Sequence, residues 1–276
     1  MIKAAVLGSP IAHSLSPLLH RRAYQLLGVD GSYEKVEVKS GGLASFLDSA
    51  RTSDWTGLSL TMPLKEEVVH LDINIDQGAR ISKSANTIVF SQDGTQMRAL
   101  STDKLAFDRL LQVKSDSKIV LLGGGGTARS ALNSLNQRVS KVEVFLRSPE
   151  KSSALFESAP DCELTISNFA EFDPHSLSSC DYLISTVPAG ASDEIALQLG
   201  SVSSDFSALN FVEVLYNPWP TDLLTSMRTL GAQCLDGLDL LVEQALDQIA
   251  LFTMVDFDYA EMRRELLQVG LEELSK

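Results

Sequence analysis

Over residues 1–100, short apolar bursts alternate with stretches whose apolar residues recur at helical spacing. Residues 4–7 read as a strand and 17–27 as a helix closed by Gly28, followed by a strand at 33–38 and a helix at 43–50. A further strand at 55–60 leads into a helix beginning near Leu64. Residues 86–90 and 97–100 flank Asp93-Gly94, a turn pair that predicts an antiparallel hairpin. A connecting helix is expected over 103–113, later strands at 182–185 and 211–214, and two closing helices at 238–253 and 259–273.

The stretch from Lys118 to Arg147 breaks this rhythm. An apolar run at 119–122 ends in four glycines, small residues at helical spacing follow, and a second β-branched run occupies 142–145. Strand, glycine turn, helix, strand is the first half of a dinucleotide-binding unit, and Gly123, Gly125 and Ala128 stand in G-x-G-x-x-A spacing. Gly123 permits the tight turn, Gly125 lets the backbone approach a pyrophosphate, and Ala128 lets helix pack on strand. The helix N-terminus offers free N–H groups to the anion. An NAD site usually carries an acid about 20 residues further on, to hold the ribose 2′-hydroxyl. Here Leu146-Arg147-Ser148 stands after the second strand, with Lys151 close behind. A cation beside a hydroxyl suits a 2′-phosphate, so the expected cofactor is NADP.

Length and charge narrow the rest. A chain of 276 residues has room for two domains. Strand–helix alternation on both sides of Asp103 predicts two α/β domains with a cleft between them. The expected divisions are a substrate domain over 1–103, a Rossmann-type nucleotide domain over 104–237, and C-terminal helices over 238–276 that have no sheet of their own and pack back on the first domain. The net charge of −13 argues against nucleic acid and requires any anionic ligand to be held by local cations and N–H groups. The longest apolar stretch, 238–255, is interrupted by Asp239, Glu243 and Asp247, so no membrane span is expected. The start of the chain runs directly into a strand without a leader pattern, and a cytoplasmic protein is expected. Cys162, Cys180 and Cys234 are dispersed, against both a disulfide framework and a zinc site, and no histidines have metal-ligand spacing.

Several segments carry candidate chemistry. In Gly8-Ser9-Pro10-Ile11-Ala12-His13-Ser14-Leu15-Ser16-Pro17, Ser16 suits a helix N-cap and Pro17 the first helical position. The Ser14 and Ser16 hydroxyls then lie beside free N–H groups, a place for a small carboxylate or phosphate. In Ser59-Leu60-Thr61-Met62-Pro63-Leu64-Lys65-Glu66, a strand end delivers Thr61, and Lys65 falls in a first helical turn, the end that disfavours cations. Asn86-Thr87 opens a strand, and Thr102-Asp103 reads as a helix N-cap pair. Tyr216-Asn217-Pro218-Trp219-Pro220-Thr221 follows a strand, and Gln244 is a polar residue on a mostly apolar helix.

Taken in order, GSPIAHSLSP, SLTMPLKE, SANT, STD, GGGGTAR, LRS, STVPAG, YNPWPT and GLDLLVEQA resemble the landmarks of the shikimate dehydrogenase family along nearly the whole chain. The wording of SLTMP and YNPWPT looks most like the actinobacterial branch. The resemblance implies NADP-dependent interconversion of 3-dehydroshikimate and shikimate in chorismate and aromatic amino-acid biosynthesis. It implies that Ser14, Ser16 and Tyr216 hold the substrate carboxylate, that Thr61, Asn86, Asp103 and Gln244 hold ring hydroxyls, and that Lys65 paired with Asp103 is the acid–base group. Gly123, Gly125, Gly126, Thr127 and Ala128 would line the pyrophosphate, with Gly237 also on the cofactor side. Arg147, Ser148 and Lys151 would take the adenosine 2′-phosphate. No metal is implied, the partner is a small-molecule substrate, and monomer and homodimer both stay open.

The chain departs from the family pattern in places. Ser59 stands for a frequent asparagine, Ser101 and Lys104 flank Thr102-Asp103 in place of Asn and Gly, and Leu146 replaces an asparagine. Ser185-Thr186-Val187 replaces Asn-Ala-Thr near the expected nicotinamide, and Glu213 stands where aspartate is common. Two alternatives remain at this level: a quinate/shikimate dehydrogenase using NAD, which Arg147 disfavours, and a non-catalytic NADP-binding paralogue.

Overall fold

The computed structural model describes residues 1–50, 54–202 and 205–276. It divides into two compact α/β units, Met1–Ala106 with Leu241–Lys276, and Phe107–Leu240. The first stretch of chain holds strands β1 (Ile2–Gly8), β2 (Gly31–Glu37), β3 (Gly57–Leu60), β4 (Asn74–Ile75), β5 (Thr87–Phe90) and β6 (Met97–Leu100). Its helices are α1 (Ser16–Leu27), α2 (Leu43–Ala50), α3 (Leu64–Glu67), α4 (Gln77–Ser82) and α5 (Thr102–Leu110). The second stretch holds β7 (Ile119–Leu122), β8 (Lys141–Leu146), β9 (Glu163–Asn168), β10 (Tyr182–Ser185), β11 (Asn210–Glu213) and β12 (Gln233–Leu235). Helices α6 (Gly126–Leu135), α7 (Ser153–Ser158), α8 (Asp193–Leu199) and α9 (Asp222–Thr229) belong with those strands, and α10 (Gly237–Thr253) and α11 (Tyr259–Leu274) close the chain.

The first unit is built on a mixed sheet of order β2-β1-β3-β5-β6-β4. Residues 4–7 of strand β1 form an unbroken apolar run because both faces of the strand are covered there. Ala5 and Leu7 face a core shared with Leu58, Leu60 and Ile88 and with Leu43 and Leu47 of α2. Ala4 and Val6 face the opposite core, with Tyr24 of α1, Tyr33 of β2 and Phe252 of α10. Gly28 closes α1 in the left-handed conformation, φ 63°, which glycine adopts without a Cβ penalty.

The second unit carries a fully parallel sheet of order β12-β11-β10-β7-β8-β9. Starting at β7, the chain winds outward through β8 and β9, then returns to β10 on the other side and winds outward again. This is the doubly wound order of a dinucleotide-binding fold, with its switch point between β7 and β10. Phe206, Leu209, Phe211, Leu223, Leu224 and Met227 form the centre of one buried face. Among the described residues, no helix is long and apolar enough to cross a membrane.

One expected detail is corrected. The sequence places the α1 N-cap at Ser16, but Leu15 holds that position, already in right-handed helical conformation at φ −85°, ψ −9°. Ser16 is therefore the first helical residue and makes no side-chain cap bond. Its N–H donates instead to Ser14 Oγ at 3.3 Å.

Candidate active site

Strand directions in the first unit explain how distant residues reach one place. Strands β1 and β3 are parallel, with Leu7 opposite Leu60, so both carboxyl ends lie on one side of the sheet. Strand β5 is antiparallel to β3, and β6 is antiparallel to β5. The start of β5 and the end of β6 therefore lie on that same side. Four segments converge there: residues 8–16, residues 61–65, Asn86, and Thr102-Asp103 at the start of α5. Gly8 meets this crowding, since a Cβ on it would overlap the Thr61 methyl and come within 2.9 Å of the Met62 carbonyl oxygen.

Asn86 is the hub. Thr87 pairs with Leu100, which brings Asn86 level with the first turn of α5. The Thr102 N–H donates to Asn86 Oδ1 at 2.8 Å, and a backbone N–H can only donate, so the Asn86 amide has one possible orientation. Its Nδ2 then donates toward Thr102 Oγ1 and Asp103 Oδ1, each at 2.9 Å, and Gln244 Oε1 at 2.8 Å. Lys65 Nζ donates to the other Asp103 oxygen, Oδ2, at 2.6 Å, and the Lys65 carbonyl accepts from the Ala85 N–H at 2.9 Å. Asp103, Asn86 and Thr102 are buried. Asp103 thus sits in the first turn of α5 with both oxygens committed to Asn86 and Lys65, and the expected N-cap role is not what it performs.

The structure brings Lys65, Asn86, Asp103 and Gln244 into one hydrogen-bonded cluster. Thr61 lies at the same sheet end, its N–H on the Leu7 carbonyl at 2.9 Å. Ser14 and Ser16 sit together at the start of α1. Ser14 also lines a cavity of about 450 Å³ with Arg21, Arg22 and Lys35, whose wall includes none of the four clustered residues. Tyr216 belongs to the second unit, in the loop after β11. Gly237 opens α10, with its N–H on the Leu215 carbonyl at 3.2 Å. Among the described residues, no group of acids, cysteines and histidines could hold a metal ion.

Sequence reasoning missed Gln248. It is fully buried and lies one helical turn beyond Gln244. The available signal was that spacing on one face of an apolar helix. It also missed that Ser59 turns inward: buried, Ser59 accepts from the Tyr33 hydroxyl at 2.6 Å and donates to Gln248 Oε1 at 2.7 Å.

The nucleotide unit has its own geometry at the switch point. Gly123 ends β7 at φ 108°, a backbone region that disfavours side chains, and a Cβ there would overlap the Thr186 hydroxyl. That hydroxyl donates to the Leu122 carbonyl at 2.8 Å, tying β7 to β10. The neighbouring Ser185 hydroxyl is buried without a partner among the described residues. Gly125 differs: among the described residues other than its chain neighbours, nothing lies within 4 Å of a Cβ built on it. A glycine with open space beside it fits a backbone that a bound phosphate must approach. Gly126 and Thr127 begin α6, and Ala128 is fully buried against the sheet. Leu146 is buried and packs over Gly124, which explains a leucine where a polar residue is usual. Arg147 and Lys151 are exposed, with Ser148 half-buried between them, and neither cation has a side-chain partner among the described residues. These residues fit the pyrophosphate and 2′-phosphate of NADP.

By sequence, the chain is similar to members of one family. A model described as the shikimate dehydrogenase substrate binding domain matches residues 6–88. The shikimate dehydrogenase (NADP(+)) of Methanosarcina acetivorans is 31% identical over 275 residues, covering 95% of this chain and 96% of that protein. The crystal structure of Mycobacterium tuberculosis shikimate dehydrogenase is similar with a TM-score of 0.84 at 29% identity, covering 97% of this chain and 99% of that one. Shikimate 5-dehydrogenase from Thermus thermophilus, solved in complex with NADP(H) and shikimate, gives a TM-score of 0.78 at 25% identity, covering 98% of this chain and 100% of that one.

Proposed function

Because the chain belongs to the shikimate dehydrogenase family, we propose that Lys65 and Asp103 are its acid–base pair and that Asn86, Gln244 and Thr61 hold a polyhydroxylated ring beside them. The protein is an NADP-dependent oxidoreductase that interconverts 3-dehydroshikimate and shikimate, a step of aromatic amino-acid (chorismate) biosynthesis. The observation that carries the assignment is the 2.6 Å bond from Lys65 Nζ to a buried carboxylate that is itself held by Asn86.

Oxidation of a carbinol removes a hydride from carbon and a proton from oxygen. NADP supplies the hydride acceptor when bound. The chain must then take the hydroxyl proton, and Lys65 Nζ is the group positioned to do so. Asp103 holds that amine through Oδ2 and keeps it in one position. In the reductive direction, the Lys65 ammonium returns a proton to the carbonyl oxygen as the carbon gains the hydride. Asn86 and Gln244, fixed by their mutual bond, present amide groups to neighbouring ring hydroxyls, while Ser14 and Ser16 receive the carboxylate. Gly123, Gly125, Gly126, Thr127 and Ala128 hold the pyrophosphate of NADP, Gly237 lies on the cofactor side, and Arg147, Ser148 and Lys151 hold its 2′-phosphate.

The polar, phosphorylated cofactor and the small anionic substrate support a cytoplasmic location, and a monomer or homodimer suffices for the reaction. Initial rates with shikimate and quinate, each with NADP and with NAD, test the reading. Turnover confined to shikimate with NADP is the expected result. Preference for quinate or for NAD overturns the substrate or cofactor assignment respectively.

A further inference from the structure

Behind the proposed substrate contacts, the buried side chain of Gln248 joins two hydrogen-bond systems. Its Nε2 donates to the Asn86 backbone carbonyl at 3.3 Å, to Thr87 Oγ1 at 2.9 Å and to Gln244 Oε1 at 3.1 Å, two protons shared among three acceptors. A backbone carbonyl only accepts, so the NH₂ end of Gln248 is fixed toward Asn86 and Gln244. Its Oε1 must then face the other way and accept. Ser59 donates to it at 2.7 Å, because the Tyr33 hydroxyl already donates to Ser59 Oγ at 2.6 Å. His20 Nε2 lies 3.3 Å from the same oxygen, which fixes the His20 proton on Nε2 and leaves Nδ1 bare. His20 also stacks on Tyr33, with ring centroids 4.0 Å apart.

Gln244 is consequently gripped at one end by two donors. Asn86 Nδ2 and Gln248 Nε2 both point at Gln244 Oε1, from 2.8 and 3.1 Å. Each donor is oriented by a backbone group, the Thr102 N–H for Asn86 and the Asn86 carbonyl for Gln248. Turning the Gln244 amide over would set three NH₂ groups against one another. Its Nε2 is thereby the end kept for a ligand.

We propose that Gln248 is a positioning residue: acting through Gln244, and itself held by Ser59, Tyr33 and His20, it keeps the Gln244 amide turned as a hydrogen-bond donor to a substrate hydroxyl. This rests on the reading of Gln244 as a substrate contact. It also gives the Ser59 departure a role, since the serine hydroxyl orients Gln248 where a larger asparagine would occupy the same buried space.

The test is a double-mutant cycle on KM for shikimate. Gln248→Met keeps the length of the side chain and removes its amide, and should raise that KM about three- to tenfold, one hydrogen bond's worth, with KM for NADP unchanged. In a Gln244→Ala background the same substitution should add nothing further, since residues acting in series are not additive. Ser59→Ala, a milder change, should show a smaller rise that is likewise absent without Gln244, and it carries the test should Gln248→Met not fold. A merely structural role predicts equal effects in both backgrounds, or a lowered Tm with KM unmoved, and either result overturns the proposal. If the wild type fails to oxidise shikimate, the functional reading falls. If Gln244→Ala leaves KM unaltered, the substrate contact falls and the proposal with it. If Gln244→Ala raises KM while Gln248→Met and Ser59→Ala do not, only the positioning role falls.

Discussion

Lys65 Nζ stands 2.6 Å from Asp103 Oδ2, and the two side chains differ in exposure, 20% against 4%. The lysine end of the pair is the open one, the end on which the proposed proton transfer depends, while the carboxylate stays inside. Lys65→Ala should lower kcat by roughly 10²–10⁴-fold, the range for losing a general acid–base group, and move KM for shikimate much less. Asp103→Asn should lower kcat too, because its amide end would face the Lys65 ammonium, donor against donor, and Tm should fall with it. Steady-state kinetics on both variants decide the matter. Near-full kcat in Lys65→Ala would move the proton transfer to another group.

At the start of α1 the structure separates two serines that the sequence treats together. Ser14→Ala removes the oxygen that receives the Ser16 N–H, and should cost about 0.5–1 kcal/mol of stability as well as raising KM for shikimate. Ser16→Ala removes no cap and should raise KM with little change in Tm. Thermal melts alongside kinetics check the pair. A stability loss on Ser16→Ala instead would restore it as the cap.

Cofactor choice is predicted to lie in Arg147. The side chain is exposed at the end of β8, without a partner among the described residues, next to Ser148. Arg147→Ala should raise KM for NADP about tenfold or more, the loss of a charge-assisted bond to phosphate, and leave KM for NAD nearly unchanged. Equal losses with both cofactors would show that Arg147 does not read the 2′-phosphate.

Acid should weaken the protein through His20. Burial holds its imidazole down to about 3, against a smaller opposing effect of the Gln248 bond. Between that value and the ordinary one near 6.5, the unfolded chain binds a proton that the folded chain does not. The His20 contribution is therefore complete above about pH 6.5 and is lost on acidification, at up to about 1.4 kcal/mol per pH unit. His20→Phe keeps a ring beside Tyr33 and abolishes this titration. Unfolding free energies at about pH 7.5 and about pH 4.5 should show the wild type losing more than the variant, and equal losses would contradict a buried neutral ring.

Much of the fold was readable because it is locally encoded. Helix α2 and strand β10 fall where periodicity predicts them, and Asp93-Gly94 marks the β5–β6 turn that sets Asn86 against Asp103. Strand β9 was not readable: it pairs along one side only, with β8, and its residues Glu163–Asn168 carry no run of buried apolar side chains. Two-residue β4 is too short to show a period. Within the site, Gln244 announces itself as a polar residue on an apolar helix and Lys65 as a cation in a first helical turn, while Asn86 and Asp103 read locally as a strand start and a helix cap. The support beneath them carries no such signal. Tyr33, Ser59, His20 and Gln248 meet across sequence separations that no local pattern reports, and each alone resembles an ordinary core or strand residue.

The first unit takes its last segment, Leu241–Lys276, from beyond the whole of the second. A ribosome therefore delivers the β2-β1-β3-β5-β6-β4 sheet, then every strand of the nucleotide unit, and only then the helix bearing Gln244 and Gln248. The nucleotide unit can begin folding as a continuous stretch while its neighbour waits, with Ser59, Thr87 and the Asn86 amide still lacking their partners on α10. Domains that fold as units during synthesis follow the order of their completion, not of their beginning. In this chain the part made first is finished last, and its hydrogen-bonded cluster gains its fourth member, Gln244, only with the final helices.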